Sequence, residues 1–301
     1  GMIWTSVLSE NPVLEEAIAE CGVAIKNVVG GETLDLAVAF ISPHYEDSYD
    51  RVADLMAETL GAKHGFGCSG GGVIGNGVEV EQRAGVSITA AVLPNVNVRP
   101  FHLEGDLLPD MDAGPDKWAG LVGVQADQDP HFVMLADPYS FPVQDLLMGM
   151  DFAFPRAAKI GGLASGASRQ GGNALFLDGE VWRTGAIGLA LDGNITVDTV
   201  VAQGCRPIGN PMRISKSDRN MLVELDGQPP MEVLRNMFET LSERDRGLLQ
   251  NSLFLGVVMD ELIDLPVQGD FLIRNVVGMD QATGGLAIGE LLKEGQLVQF
   301  H

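Results

Sequence analysis

Two nucleophile side chains stand together in a run of glycines: Cys68 and Ser69, within Lys63–Gly75, KHGFGCSGGGVIG. A phosphate loop of the G-x-x-x-x-G-K-[ST] kind needs a lysine directly after its glycines, and here no basic residue follows until Arg83. The pattern G-x-G-x-x-G fits at Gly65, Gly67 and Gly70, but Val73–Gln82 has no helical periodicity, so no helix N-terminus follows to hold a pyrophosphate. Of the two nucleophiles Cys68 is the better candidate, provided a base or a positive field can form its thiolate. Haem would need an axial ligand, and among His44, His64, His102, His131 and His301 the first two are the candidates.

A fourth chemistry is recognition of an anion by backbone N–H groups, which glycine turns can expose as a nest. In that reading Gly67, Cys68, Ser69, Gly70 and Gly71 form one wall and Gly162, Ser165 and Gly166 a second. Arg83, Arg183 or Arg213 would close on a carboxylate, and Asp137, at the end of an apolar run, would take an amino group. The plain alternative is that these glycines only permit turns or close approaches.

The elements around these residues can be read from periodicity. Ile3–Leu8 predicts a strand, followed by a helix capped by Asn11-Pro12 with a stripe of Leu14, Ile18, Cys21, Ile25 and Val28. Leu34–Ser42 predicts a buried strand and Tyr45–Leu60 a helix stopped by Gly61. Arg83–Leu93 and Val96–Leu103 read as two adjacent strands. The order then returns: His131–Pro138 as a strand, Val143–Phe154 as a helix, and a second glycine stretch. Ala62-Lys-His-Gly-Phe-Gly-Cys-Ser-Gly70 and Ala158-Lys-Ile-Gly-Gly-Leu-Ala-Ser-Gly166 share A-K-x-G-x-x-x-S-G, 96 residues apart (62 to 158). Arg83-x-Gly85 is answered by Arg183-x-Gly185, and Asn95 with Val98 by Asn194 with Val197. The expectation is an internal duplication of βαβββ-like units, about 34–105 and 131–204, related by a pseudo-twofold axis. After Gly209 come strands near Met212–Ser215, Met221–Glu224, Leu253–Met259, Phe271–Gly278, Gly284–Ile288 and Leu297–His301, with one helix near Pro230–Thr240.

The net charge of −22 argues against nucleic acid and against anionic membrane surfaces. The three cysteines form no CxxC pair, so neither structural zinc nor a redox dithiol is indicated. The N-terminus lacks a signal-peptide pattern and no apolar run is long enough to cross a bilayer, so a cytoplasmic location is expected.

The segments GFGCSGGGVIGNGVEVEQRAGVSI, IGGLASGASRQGGNALFLDGEVWRTGAIGLAL and RISKSDRNMLVELDGQPPMEVL resemble the FIST family, F-box and intracellular signal transduction proteins, from about Trp4 to the last residue. The resemblance implies a sensory domain for small ligands such as amino acids, acting in the cytoplasm beside signalling partners; some relatives bind haem as gas sensors. It also implies a further helix and glycine-rich strand after residue 301, so a truncated C-terminal region is expected. The reading reached is a mixed α/β (α+β) fold with an N-terminal region over 2–208 and a smaller C-terminal α/β region over 209–301. Its expected role is binding of a small polar metabolite rather than catalysis; haem, at His44 or His64, and Cys68 chemistry are the alternatives. Ligand identity, partner and oligomeric state are left open by the sequence.

Overall fold

The structure, a computed structural model, describes residues 1–202 and 204–301; Gln203, inside the expected second repeat, lies outside the described residues. The fold is mixed α+β and divides into two compact units, Gly1–Thr199 and Val200–His301.

The first unit contains β1 (Ile3–Ser9), α1 (Leu14–Val29), β2 (Leu36–Ile41), α2 (Val52–Leu60), β3 (His64–Ser69), the hairpin β4 (Gly72–Gly75) and β5 (Val78–Glu81), and β6 (Val86–Val92). It continues with β7 (Val96–Leu103), α3 (Pro115–Val122), β8 (His131–Ala136), α4 (Val143–Ala153), β9 (Lys159–Leu163), β10 (Leu175–Leu177), β11 (Glu180–Trp182) and β12 (Ala186–Gly193). Two sheets result, with strand orders β1-β6-β2-β3-β10-β11 and β7-β12-β8-β9.

Alternation along each strand sends side chains to two different cores. On β2, Ala37, Ala39 and Ile41 pack with Ile18, Cys21 and Ile25 of α1 and with Val52, Leu55 and Met56 of α2. Phe66 and Cys68 of β3 join Leu135 of β8 and Ile187, Leu189 and Leu191 of β12 in a cluster between the sheets. Phe132, Met134 and Ala136 face Trp118 of α3 and Leu146 and Met150 of α4. The layers therefore run helices, sheet, sheet, helices.

Strand order repeats: β1-β6-β2-β3 is matched by β7-β12-β8-β9, and in each set the βαβ pair is parallel while its neighbour runs antiparallel. The matching strand orders start at β1 and β7, whereas the expected units started at residues 34 and 131. β7, expected beside β6, pairs instead with β12, because Pro94 and Asn95 (φ +61°) redirect the chain between β6 and β7. Conversely the hairpin β10–β11 joins the first sheet, with Leu175 opposite Cys68.

The helix starts also differ from expectation. α1 begins at Leu14, because Asn11 spends its Oδ1 on the Val13 N–H (3.0 Å) in a turn ahead of the helix. Its stripe ends on Val29, while Val28 is exposed, one residue round the helix from the core. Pro43–Arg51 forms 3-10 turns before α2, broken by a kink at Tyr45, and Tyr45 and Tyr49 are both buried.

The second unit contains β13 (Ile208–Asp218), β14 (Met221–Leu225), α5 (Pro230–Thr240), α6 (Glu243–Asn251), β15 (Phe254–Val258), β16 (Phe271–Asp280), β17 (Gly285–Ile288) and β18 (Leu297–Phe300). Its strands close into a barrel in the order β13-β14-β17-β16-β15-β18. Closure removes the open edges that separate strands would carry. Val233 and Leu234 of α5 pack with Ile214, Leu222, Leu255 and Phe300 of the barrel. Among the described residues no helix is long and apolar enough to cross a membrane.

Candidate functional site

The two glycine stretches meet. The Gly71 N–H donates to Ser165 Oγ (2.9 Å), and the Ser165 N–H donates to the Ser69 carbonyl (3.1 Å). A Cβ placed on Gly166 would lie 3.3 Å from the Gly71 Cα and 2.6 Å from Pro43 Cγ, so only a glycine lets the strands approach this closely. Ser69 is 1% exposed, and its Oγ accepts the Ala174 N–H (2.9 Å). Gly70 donates its N–H to the Ile41 carbonyl (2.9 Å). Several of the N–H groups expected to form an anion nest are thus already occupied in holding the seam together.

Beside the seam lies a buried polar cluster. Asp137, 1% exposed, follows β8; its Oδ1 accepts from Asn173 Nδ2 (3.2 Å) and its Oδ2 from Ser140 Oγ (2.5 Å). Asn173 in turn accepts the Ala167 N–H (3.2 Å), which ties the loop after β9 to the carboxylate. Among the described residues Asp137 has no basic partner; its neighbours are neutral donors. The next segment along is Arg183–Gly185: the Asp137 N–H donates to the Gly185 carbonyl (2.9 Å) and the Gly185 N–H to Ser140 Oγ (3.0 Å). The Arg183 guanidinium lies 5.6 Å over the Tyr49 ring and pairs with the exposed Asp50 (2.9 Å). Burial pushes the Tyr49 phenol up to about 12, against the pull of the Arg183 charge. Ser69, Gly70, Gly71, Ser165, Gly166, Asp137 and Arg183 are thus joined through shared partners.

The other expected residues stand apart. Gly67 is pressed into the sheet, where a Cβ would come 1.8 Å from the Ala39 carbonyl oxygen. Gly162 lies on the outer strand β9 with nothing within 4 Å of an added Cβ. Arg83 pairs with Glu10 (2.9 Å). Arg213 belongs to the second unit, where it reaches the Gly295 carbonyl (3.0 Å) and Asp264 (3.6 Å). His44 meets Tyr45 edge-on, and His64 pairs with Asp178 (3.3 Å).

Cys68 is 3% exposed in the cluster between the sheets, and desolvation pushes its thiol up to about 12. It is a protonated core residue at neutral pH, which removes the condition that a nucleophilic role required.

The alignment at a constant offset of 96 is corrected by the hydrogen-bond register. Gly67 lies opposite Ala39 and Gly161 opposite Met134, each with its would-be Cβ against the partner carbonyl, at 1.8 and 1.7 Å. The Ile41 carbonyl accepts from Gly70, and the Ala136 carbonyl from Ala164 (2.8 Å). The equivalent pairs are therefore Gly67 with Gly161 and Gly70 with Ala164, so Ser69 and Ser165 are not counterparts. A shift of two residues preserves the in–out alternation of a strand, which is why the sequence motif conceals it. Asn173 and Ser140 were missed in the sequence because isolated polar residues in loops carry no spacing signal.

Comparison with known proteins decides the family. The FIST N domain model matches residues 35–228 and the FIST C domain model residues 230–301. The chain belongs to the FIST family. FIST domains are associated with sensing in signal transduction. The chain is 33% identical over 296 residues to the uncharacterized protein Rv0628c of Mycobacterium tuberculosis, covering 97% of this chain and 74% of the relative. It is 32% identical over 292 residues to the uncharacterized protein Mb0898c of Mycobacterium bovis, covering 96% and 73%. The boundary between the FIST N and C matches falls after β14, inside the second compact unit of this FIST protein.

Proposed function

We propose that this FIST protein is a sensory module for a small metabolite carrying both an amino group and a carboxylate, such as an amino acid, bound beside the seam of the first unit. The observation that carries the reading is Asp137: a carboxylate buried after a strand end and held, among the described residues, by neutral donors. Burying a charge without a counter-charge is costly, and an incoming ammonium would supply that counter-charge. Arg183 is the natural partner for the ligand's carboxylate, since its present bond to an exposed aspartate is weak and exchangeable. The loop 164–173, fastened through Asn173 and through the Tyr139 hydroxyl to the Ala167 carbonyl (3.1 Å), covers the carboxylate and opens to admit the ligand. A ligand that binds the closed arrangement better than the open one shifts the population, and that shift is the signal passed to a partner in the cytoplasm.

Calorimetric titration of the full chain with the proteinogenic amino acids tests this. One or more of them bind saturably, and Asp137→Asn and Arg183→Gln each weaken that binding about tenfold or more. An entire panel without saturable binding would overturn the reading, as would binding that neither variant alters.

A further inference from the structure

The outer edge of β9 is open. Across the parallel β8–β9 pair the Phe132 N–H donates to the Ala158 carbonyl (2.9 Å) and the Ala164 N–H to the Ala136 carbonyl (2.8 Å). Backbone groups alternate in direction along a strand, so Lys159, Gly161 and Leu163 turn their N–H and C=O groups away from β8. Among the described strands none pairs with that side. Gly161, Gly162 and Leu163 are exposed. Lys159 is bonded to Asp151 (2.8 Å) and to the Phe154 carbonyl (2.8 Å) at the end of α4, so its charge does not guard the edge.

The matching edge of the first sheet shows what fits. Gly67, the equivalent of Gly161, lies on β3, whose outer side is covered by antiparallel β10 with Phe176 opposite Gly67. The Asp178 N–H donates to the Gly65 carbonyl (2.8 Å) and the Ser69 N–H to the Ala174 carbonyl (2.9 Å). Residues 65, 67 and 69 thus use the groups that 159, 161 and 163 leave unpaired. Phe176 takes the room that the glycine provides: it is 1% exposed, in the core formed with α1 and α2, and edge-on to Tyr49. At β9 the corresponding place is lined by Leu163 and by Leu147, one turn before Asp151 on the side of α4 that reaches Lys159; both leucines are exposed.

The element of this chain in the matching place is committed elsewhere. A hairpin follows each glycine stretch and precedes each R-x-G; β10–β11 crosses to β3, but β4–β5 does not cross to β9. It is held near β1 and β6, with Val73 and Val80 buried, the Asn76 N–H donating to Ser6 Oγ (3.2 Å) and Ser87 Oγ donating to the Ile74 carbonyl (2.6 Å). We infer that β9 is a docking edge for an extended segment of a partner protein, which adds an antiparallel strand with a large apolar residue opposite Gly161, resting on Leu147 and Leu163. Backbone bonds supply the affinity and that residue the selectivity. In a chain of net charge −22, basic flanks favour the segment and acidic flanks disfavour it. The edge uses neither Asp137 nor Arg183, so it stands whether or not the seam binds a metabolite.

The probe is a fluorescein-labelled peptide with the β10 sequence Ala-Leu-Phe-Leu between pairs of lysines, titrated with the full chain and read by fluorescence anisotropy. It binds saturably, and a peptide with glycine in place of the phenylalanine binds about tenfold or more weakly. Methylating the phenylalanine nitrogen removes the N–H aimed at the Gly161 carbonyl and weakens binding by a similar factor. In the protein, the double variant Leu147→Ser with Leu163→Ser weakens binding; both positions are exposed, and a thermal melt checks that the variant is folded. Bound peptide slows amide hydrogen exchange at residues 159–163. The proposal is overturned if the peptide does not bind, if the glycine or N-methyl peptide binds as well, or if the folded double variant binds unchanged. It is also overturned if exchange quickens at residues 174–177, which would mean that the probe has replaced β10 on β3. A chain that sediments as a dimer dispersed by the double variant would assign the edge to a second copy and overturn it too.

Discussion

The two repeated strand sets of the first unit do the same structural work with different residues. In the first, the Ser42 N–H donates to the Gly85 carbonyl (3.0 Å), and Ser42 Oγ accepts the Gly85 N–H (2.9 Å). In the second, Asp137 stands in the place of Ser42 and makes the corresponding N–H bond to Gly185, but the side-chain duty has passed to Ser140 Oγ. The Asp137 carboxylate does not bond Gly185 itself and instead accepts from Ser140 Oγ and Asn173 Nδ2. The outer strands differ too: β3 is covered by β10, whereas β9 pairs only with β8 among the described strands. A repeated scaffold keeps its backbone bonds and close approaches, while side chains not needed for them are free to become specific.

The comparison breaks most sharply at the glycines within the sheets. Gly67→Ala and Gly161→Ala each force a methyl group into a backbone carbonyl that cannot give way. Each is expected to cost at least about 3 kcal/mol in urea denaturation. If one alanine were tolerated and the other not, the equivalence of the two positions would be lost. A smaller effect sharpens the serine exchange: Ser42→Ala and Ser140→Ala each leave a glycine N–H without its acceptor, at about 1–3 kcal/mol apiece. A silent Ser140→Ala would show that the second turn does not rely on the hydroxyl as the first does.

The third test contrasts the two units. Burial holds His301 below its ordinary range, although the bond to the Gln299 carbonyl pulls the other way. The folded second unit therefore binds this proton less readily than the unfolded chain does. Its contribution to stability is full above the ordinary histidine value of about 6.5 and is lost as the pH falls through the lowered value. In melts from neutral to mildly acid pH, the second unit should lose stability, and His301→Phe should flatten that slope. An identical slope in the variant would remove His301 as its source.

Much of this was legible because local rules dominate strands and helices. The apolar runs Leu36–Ile41 and His131–Ala136 marked the two strands that the structure pairs in parallel with β3 and β9. The serines misled because a strand cannot tell a residue from its neighbour two places on. The destination of β7 and of β10–β11 was hidden because strand partners are chosen across distances that periodicity does not encode. Cys68 looked chemical beside its glycines and proved to be core, since exposure depends on what lies above the strand.

The sequence by itself determined the family, the α+β class, most element positions and the meeting of two glycine stretches as an expectation, because hydrophobic period and glycine placement act over a few residues. Only the tertiary structure decided which strands exchange sheets and which register is equivalent. It alone gave Asp137 its neutral partners. Those outcomes depend on long-range packing, in which burial removes water and makes every polar group answerable to residues far away in the chain.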